Sequence, residues 1–146
     1  MKQLEQVIHV DLIIAAPWII PMSAESNSEI KYLKNAALVI KNGKILDLNS
    51  EETILKRYQS QNIIHKENHV LMPGLINSHT HLAMSLLKGV ADDLPLMTWL
   101  KDNIWPAESA FVSKEFVKDG AELALLELIQ GGVTCVNDMY FYAEET

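Results

Sequence analysis

The second half of the sequence carries a strand–helix–strand pattern, and this pattern constrains the fold more than any other feature. Residues 70–77 are almost continuously apolar, as is typical of a strand buried on both faces. After Ser113, which can cap a helix, apolar residues recur at helical spacing until a Gly-Gly pair at 131–132. Residues 133–140 then have the composition of a second strand. We therefore predict a βαβ unit, and with it an α/β fold containing a parallel sheet.

The crossover between these two strands is much longer than a bare βα loop. It occupies residues 81–113 and can hold short helices at residues 84–87 and 95–103. Asp92 and Asp93 can cap the second of these helices. Because long βα loops carry substrate contacts in α/β barrels, we expect such contacts in this crossover.

The sequence before residue 67 has a different character. Residues 9–20 are β-branched or aromatic with little helical period, and residues 37–46 are typical of two strands. The Asn-Gly pair at 42–43 suits a two-residue hairpin turn. Ser50 can cap a short helix over residues 51–57. We predict small antiparallel β structure for this region.

Charge and composition exclude several classes of function. The 146-residue chain has 12 basic against 19 acidic residues, whereas nucleic acids and anionic membranes require clustered Lys and Arg. No apolar window approaches the roughly 18 to 20 residues of a membrane-spanning helix, and Pro17 interrupts the apolar stretch that a signal peptide would need. The single cysteine, Cys135, suits a reducing cytoplasm, and we interpret it as a small core residue.

Two histidines stand at the end of the first α/β strand. Alternate residues of a strand point to the same side, so His79 and His81 can face one point while Thr80 faces away. Two imidazoles converging at the carboxyl end of a buried strand form half of a chelate for zinc or a similar cation. The spacing alone leaves open that this His-x-His occurs by chance.

A resemblance to a known family covers most of the chain. Residues 73–81, PGLINSHTH, closely resemble the first barrel strand of the amidohydrolase superfamily. In that strand a His-x-His supplies two metal ligands. Residues 82–94, 99–100 and 105–108 are similar to one branch of this superfamily. That branch contains the S-adenosylhomocysteine and 5′-methylthioadenosine deaminases and the triazine chlorohydrolases. The small β-sandwich that precedes the barrel in this superfamily resembles the hairpin at residues 42–45.

This resemblance implies the start of a (β/α)₈ TIM-type barrel with one metal ion per subunit, zinc or in some members iron. It implies that residues 1–66 are the N-terminal part of the small β-sandwich domain and that residues 67–146 are the first βαβ portion of the barrel. His79 and His81 match the two ligands from strand 1. The other ligands, a His and an Asp, and the His and Glu used in proton transfer are expected beyond Thr146, so we expect the chain to be incomplete.

The resemblance also implies a substrate-binding role for Glu108. In the adenosine-type deaminases of this branch, a glutamate near the end of the strand 1 crossover contacts the substrate ribose, and Glu108 occupies the matching place. The implied function is a metal-dependent hydrolytic deaminase that releases ammonia from nucleosides such as S-adenosylhomocysteine and 5′-methylthioadenosine. The intact enzyme is expected to be a cytoplasmic homo-oligomer. Without the resemblance, a solvated glutamate after Pro106 is the simpler interpretation.

Two alternatives stay open at this point. A triazine-type chlorohydrolase or aminohydrolase, or another aminopurine or pyrimidine deaminase of the superfamily, would use the same metal site. A noncatalytic metal-binding fragment is an alternative of a different class, because the residues of this chain contain no second set of ligands.

Five further candidates receive simpler interpretations. Trp99 and Trp105 could line an aromatic pocket for a purine, but large aromatic residues at helical spacing usually belong to the core. Asp138 is interpreted as an exposed carboxylate at a strand end, and His65 and His69 as surface or domain-junction residues.

Overall fold

The computed structural model describes residues 7–23 and 31–146, which divide after Pro73 into two units of mixed α/β structure. The family resemblance implies a boundary after residue 66. In chain order the N-terminal unit contains β1 (Ile8–His9), β2 (Leu12–Ile19), β3 (Leu33–Lys41), β4 (Lys44–Ser50), α1 (Glu51–Arg57), β5 (Tyr58–Gln59), β6 (Ile63–His65) and β7 (Val70–Leu71).

A five-stranded sheet forms the body of the N-terminal unit. Strand β3 pairs antiparallel with both β2 and β4, while β6 and β7 pair parallel with β2. The hairpin between β3 and β4 turns at Asn42 and Gly43, both of which have a positive φ, as an Asn-Gly turn permits. The side chain of Ser50 accepts a hydrogen bond from the backbone N–H of Thr53 and caps α1. Both local predictions are confirmed.

The main core of this unit lies between the sheet and α1. The alternating pattern of β2 and β3 sends small and β-branched side chains to one face, where the single buried residue of α1 covers them. The cluster consists of Val10, Ile13, Ala15, Ala37, Val39, Ile54 and Tyr58.

The C-terminal unit is the predicted βαβ arrangement. Its elements are β8 (Leu75–Thr80), a 3₁₀ helix (Leu82–Leu87), α2 (Leu96–Trp99), a π-helical turn (Leu100–Ile104), α3 (Trp105–Phe111), α4 (Lys114–Gln130), β9 (Val133–Asp138) and a 3₁₀ turn (Ala143–Glu145). Strands β8 and β9 are parallel and pair from Leu75 with Val133 to Thr80 with Asp138. The side chain of Ser113 caps α4 by accepting a hydrogen bond from the N–H of Phe116. The parallel pair and the long helix are therefore confirmed.

The apolar pattern of residues 70–77 predicts one strand, but the structure divides this segment in two. It breaks at Pro73-Gly74: the residues before the break pair with β2, and those after it pair with β9. Proline cannot donate a ladder hydrogen bond. At Gly74 an added Cβ would lie 2.1 Å from Oγ1 of Thr134, so only glycine allows this close approach.

Burial of the two parallel strands also differs from the expectation. Ile76 is 73% exposed, and Cys135 is exposed rather than a core residue. The helical cover lies on one side of the sheet, where Leu82, Ala121 and Ala124 pack with Val136. The prediction of two buried faces was therefore wrong for the residues that the structure describes.

The helix after the Asp92-Asp93 pair lacks the cap that the sequence suggested. Pro95 is the N-cap residue of α2, and no side chain caps its N-terminus. Asp93 has a positive φ, and it precedes the cap position by two residues, so its carboxylate is not placed to accept from the first turn. That capping prediction was wrong. Within the described ranges, every helix is too short or too polar to cross a membrane.

Candidate functional site

The two predicted ligands come together at the carboxyl end of β8. His79 lies in the strand and His81 directly follows it, and their ring centroids are 5.2 Å apart with the rings nearly perpendicular. Two imidazoles bound to one tetrahedral zinc at about 2.0–2.1 Å would have ring centres roughly 5 Å apart. Both side chains are exposed. The spacing and the donor chemistry of this pair thus fit a shared divalent cation.

The tautomer of His81 is set by the backbone carbonyl of the residue that follows β9. Nδ1 of His81 lies 2.6 Å from the carbonyl oxygen of Met139. A carbonyl oxygen only accepts, so Nδ1 carries the proton and donates. The other ring nitrogen, Nε2, keeps a free lone pair for a metal ion, as is common when the second nitrogen of a ligand histidine is hydrogen-bonded.

Successive residues at the end of β9 form hydrogen bonds with the segment around His81. The backbone N–H of Met139 donates to the carbonyl of Thr80 at 2.9 Å. The N–H of Leu82 donates to the carboxylate of Asp138 at 2.7 Å. Asp138 is therefore a partly buried hydrogen-bond acceptor, and its interpretation as an exposed carboxylate was wrong. Sequence reasoning missed these contacts because the partners are more than fifty positions apart, with 56 separating Leu82 from Asp138.

A cavity of about 610 Å³ opens beside His81. Trp99 and Trp105, which the sequence analysis assigned to the core, both line it. The indole N–H of Trp99 donates to the carbonyl of Val90 at 3.2 Å, and Trp105 is 46% exposed. The π-helical turn between α2 and α3 changes the helical register, which a regular helical period does not anticipate. The core interpretation of both tryptophans was wrong.

Glu108 lines the same cavity as His81 and is half-buried in α3. The hydroxyl of Tyr140 donates to Oε1 of Glu108 at 2.7 Å. Burial, followed by this hydrogen bond, raises the pKa of Tyr140 above its ordinary value, which favours the protonated hydroxyl that donates to Glu108. Sequence analysis missed Tyr140, although its position just after a strand on the site-bearing edge could have marked it.

The remaining histidines of the sequence analysis lie elsewhere. His65 and His69 are exposed in the N-terminal unit, as predicted for surface residues, and Nδ1 of His65 lies 3.4 Å from a carboxylate oxygen of Glu51. Across residues 7–23 and 31–146, no group of three or more His, Cys, Asp or Glu residues is placed to hold a metal ion. The His79–His81 pair is therefore a two-ligand arrangement.

Comparison with known sequences relates the chain to one family. The model of the amidohydrolase family matches residues 70–145. A 5-methylthioadenosine/S-adenosylhomocysteine deaminase of Saccharophagus degradans is 47% identical, in an alignment covering 92% of this chain and 29% of that protein. A 5′-deoxyadenosine deaminase of Methanosarcina barkeri is 39% identical, covering 93% of this chain and 29% of that protein. The chain thus spans less than a third of the length of these relatives.

Solved structures give a similar picture. An adenosine deaminase from Xanthomonas campestris, with bound zinc, superposes with a TM-score of 0.89 and 40% identity over 96% of this chain and 31% of its own. A triazine hydrolase from Arthrobacter aurescens has a TM-score of 0.75 at 20% identity, over 88% of this chain and 28% of its own. At that identity the second likeness concerns the fold alone.

Proposed function

This chain belongs to the amidohydrolase family, and from that premise we propose that the protein is a metal-dependent hydrolytic deaminase of adenosine-type nucleosides. Its reaction replaces the 6-amino group of the purine by oxygen and releases ammonia. We propose S-adenosylhomocysteine and 5′-methylthioadenosine as substrates, in line with the names of its relatives. In this proposal the C-terminal unit is the start of a (β/α)₈ barrel, and the N-terminal unit is part of the small β domain that precedes it.

The observation that carries the proposal is the cavity shared by His81 and Glu108. It combines a metal-type ligand, a carboxylate and two indole rings, those of Trp99 and Trp105, in one space of about 610 Å³. Cavities of a few hundred cubic ångströms are typical of small-molecule sites. A planar purine can pack against the indoles while its ribose reaches the carboxylate. A noncatalytic metal-binding role would not require such a cavity beside the histidines.

We assign His79 and His81 as metal ligands. A bound zinc or iron ion supplies positive charge that makes water reactive towards an electron-poor ring carbon near neutral pH. The Met139 carbonyl holds the proton on Nδ1 of His81 and so keeps Nε2 available as a ligand. Two imidazoles fill half of a tetrahedral shell, so this assignment requires further metal ligands from outside the described residues.

We assign Glu108 to the ribose. A carboxylate can accept hydrogen bonds from both hydroxyls of a 2′,3′-diol, and bonds to a charged acceptor are stronger than neutral ones. Glu108 is half-buried, so its carboxylate has fewer water neighbours than a fully exposed side chain. A chlorinated triazine with alkyl side chains has no vicinal diol, which favours a nucleoside over the triazine alternative.

The test is a substrate comparison with the full-length protein. The purine absorbance change is followed with 5′-methylthioadenosine, S-adenosylhomocysteine and adenosine, and with guanine and atrazine as rival substrates. We expect deamination of the nucleosides, and we expect Glu108→Ala to lower their kcat/KM about ten- to a hundredfold while adenine is little affected. Preferred turnover of guanine or atrazine, with no effect of Glu108→Ala, would refute the nucleoside assignment.

A further inference from the structure

We propose that Tyr140 is a positioning residue for Glu108, holding one carboxylate oxygen so that the other is presented to the ribose diol. This inference rests on the proposed nucleoside specificity. It assigns a role to a residue that the sequence motifs did not include.

Tyr140 lines the same cavity as His81 and Glu108. Its hydroxyl donates to Oε1 of Glu108 at 2.7 Å, and its ring centroid lies 6.1 Å from that of His81. The ring of Phe141 contacts it at 5.1 Å in an edge arrangement. Tyr140 therefore links the candidate ligand His81 to the carboxylate of α3.

The hydrogen bond removes freedom from a flexible side chain. A glutamate side chain on a helix can point its carboxylate in several directions. Fixing the carboxylate before the substrate binds lowers the entropic cost of binding. The carboxylate has about four acceptor sites, so one bond from Tyr140 leaves sites for both ribose hydroxyls. The partner is a neutral hydroxyl rather than Lys or Arg, so this contact brings no opposite charge to the carboxylate of Glu108.

A matched tyrosine in the N-terminal unit provides the control. The hydroxyl of Tyr58 donates to Oδ2 of Asp47 at 2.9 Å, so Tyr58→Phe removes the same kind of hydrogen bond outside the cavity. Any effect of Tyr140→Phe on substrate selection that Tyr58→Phe does not share must come from the position of Tyr140.

The experiment measures KM and kcat of the full-length protein for 5′-methylthioadenosine and for 2′,3′-dideoxyadenosine, which lacks the diol. For Tyr140→Phe we expect KM for the diol substrate to rise about tenfold with kcat within about twofold, and KM for the dideoxy substrate to stay unchanged. Tyr140→Phe should add nothing further in a Glu108→Ala background, because the two residues act through one contact. Tyr58→Phe should change neither KM.

The outcomes separate this inference from the proposed function. If Glu108→Ala raises KM for the diol substrate but Tyr140→Phe does not, or affects both substrates equally, the positioning role is overturned and the proposed function stands. If the protein does not deaminate nucleosides at all, both proposals fail. Should Tyr140→Phe be too unstable to assay, Glu108→Gln replaces it. If Tyr140 holds the side-chain oxygen of the glutamine, the amide nitrogen rather than an acceptor faces the ribose, and KM for the diol substrate should rise as much as in Glu108→Ala. A KM near the wild-type value overturns the positioning role.

Discussion

The two units contain the same tyrosine–carboxylate pair in different surroundings. In the N-terminal unit, Tyr58 is 6% exposed, and its partner Asp47 also pairs with the guanidinium of Arg57 at 3.0 Å. In the C-terminal unit, Tyr140 bonds to Glu108 at the wall of an open cavity. The first carboxylate has its charge matched by a cation, while the second faces space that a ligand can enter. The same contact therefore lies beside the core in one unit and leaves a carboxylate open to a cavity in the other.

The two units also differ in where their polar contacts concentrate. In the N-terminal unit, side-chain hydrogen bonds support a hairpin and a helix cap, as at Asn42 and Ser50. In the C-terminal unit, Asp138, Met139 and Tyr140 each contact the site from the end of β9. Function in a parallel βα arrangement is expected at this end of the strands. The following predictions test whether stability and chemistry separate between the two units in this way.

The largest effect is expected from the histidines of the C-terminal unit. In the full-length protein, His79→Ala and His81→Ala should each remove most of the bound metal. Each should also lower kcat/KM by about a thousandfold or more, because removing one member of a catalytic group that acts as a unit abolishes most of the rate. Elemental analysis and nucleoside turnover measure the two effects. His65→Ala, at an exposed histidine of the N-terminal unit, is the control and should retain both metal and activity. Full metal content in His79→Ala would contradict the assignment of the metal site to the C-terminal unit.

The next effect concerns the core of the N-terminal unit. Ile54 is fully buried between α1 and the sheet, so Ile54→Ala should lower the free energy of unfolding by about 2–5 kcal/mol. The neighbouring Leu55 is 47% exposed, and Leu55→Ala should cost about 0.5 kcal/mol or less. Urea denaturation measures both. Below the unfolding midpoint KM should not change, and an altered KM in Ile54→Ala would show that the core of this unit also shapes the site.

A smaller effect is expected where α4 meets the segment after His81. At Gly120 an added Cβ would lie 2.7 Å from the carbonyl oxygen of Ala83, so Gly120→Ala should push the 3₁₀ helix away and cost about 1–3 kcal/mol. At Gly131 the nearest atom would be 3.4 Å away, so Gly131→Ala is a matched control with little expected effect. Thermal unfolding and metal content are the measurements. Equal unfolding temperatures for the two variants would contradict this account of the packing.

The smallest effect concerns how the stability of the N-terminal unit depends on pH. Burial, and then the hydrogen bond to Asp47, raise the pKa of Tyr58 above its ordinary value of 10.0. A proton held more tightly in the folded state stabilises the protein below the unfolded pKa, and this contribution is lost as the pH rises through the folded one. Tyr58→Phe should therefore flatten the fall in stability above about pH 10. Urea midpoints from pH 8 to pH 11 test this, and an unchanged slope would show that the hydroxyl contributes nothing.

Much of the local structure follows from short-range chemistry and was predictable. The turn at Asn42-Gly43 requires residues that tolerate a positive φ, and the caps at Ser50 and Ser113 require a hydroxyl just before a helix. The approach of His79 and His81 follows from the two-residue period of a strand. Each of these features depends on residues within a few positions of one another.

The break at Pro73-Gly74 shows where pattern reasoning ends. Apolar residues on both sides of it have the same strand character, and only pairing with two different partners, β2 and β9, divides them. Hydrophobicity records that a residue prefers burial but not which surface covers it. In the two-stranded sheet of the described residues, Ile76 and Cys135 are accordingly exposed, where the apolar pattern predicted burial.

The sequence by itself determined that two imidazoles stand at the end of a strand and that this strand belongs to a parallel βαβ unit. Only the tertiary structure decided that the Met139 carbonyl holds Nδ1 of His81, that Asp138 binds the N–H of Leu82 and that Tyr140 bonds to Glu108. One of these partners is a backbone oxygen, which every residue has and no sequence pattern marks. Asp138 is brought to the N–H of Leu82 by the parallel register of β8 and β9, because pairing of distant strands, rather than local spacing, places their ends together. Tyr140 lies two residues after β9 and reaches Glu108 on α3, which neither strand period nor helix spacing predicts.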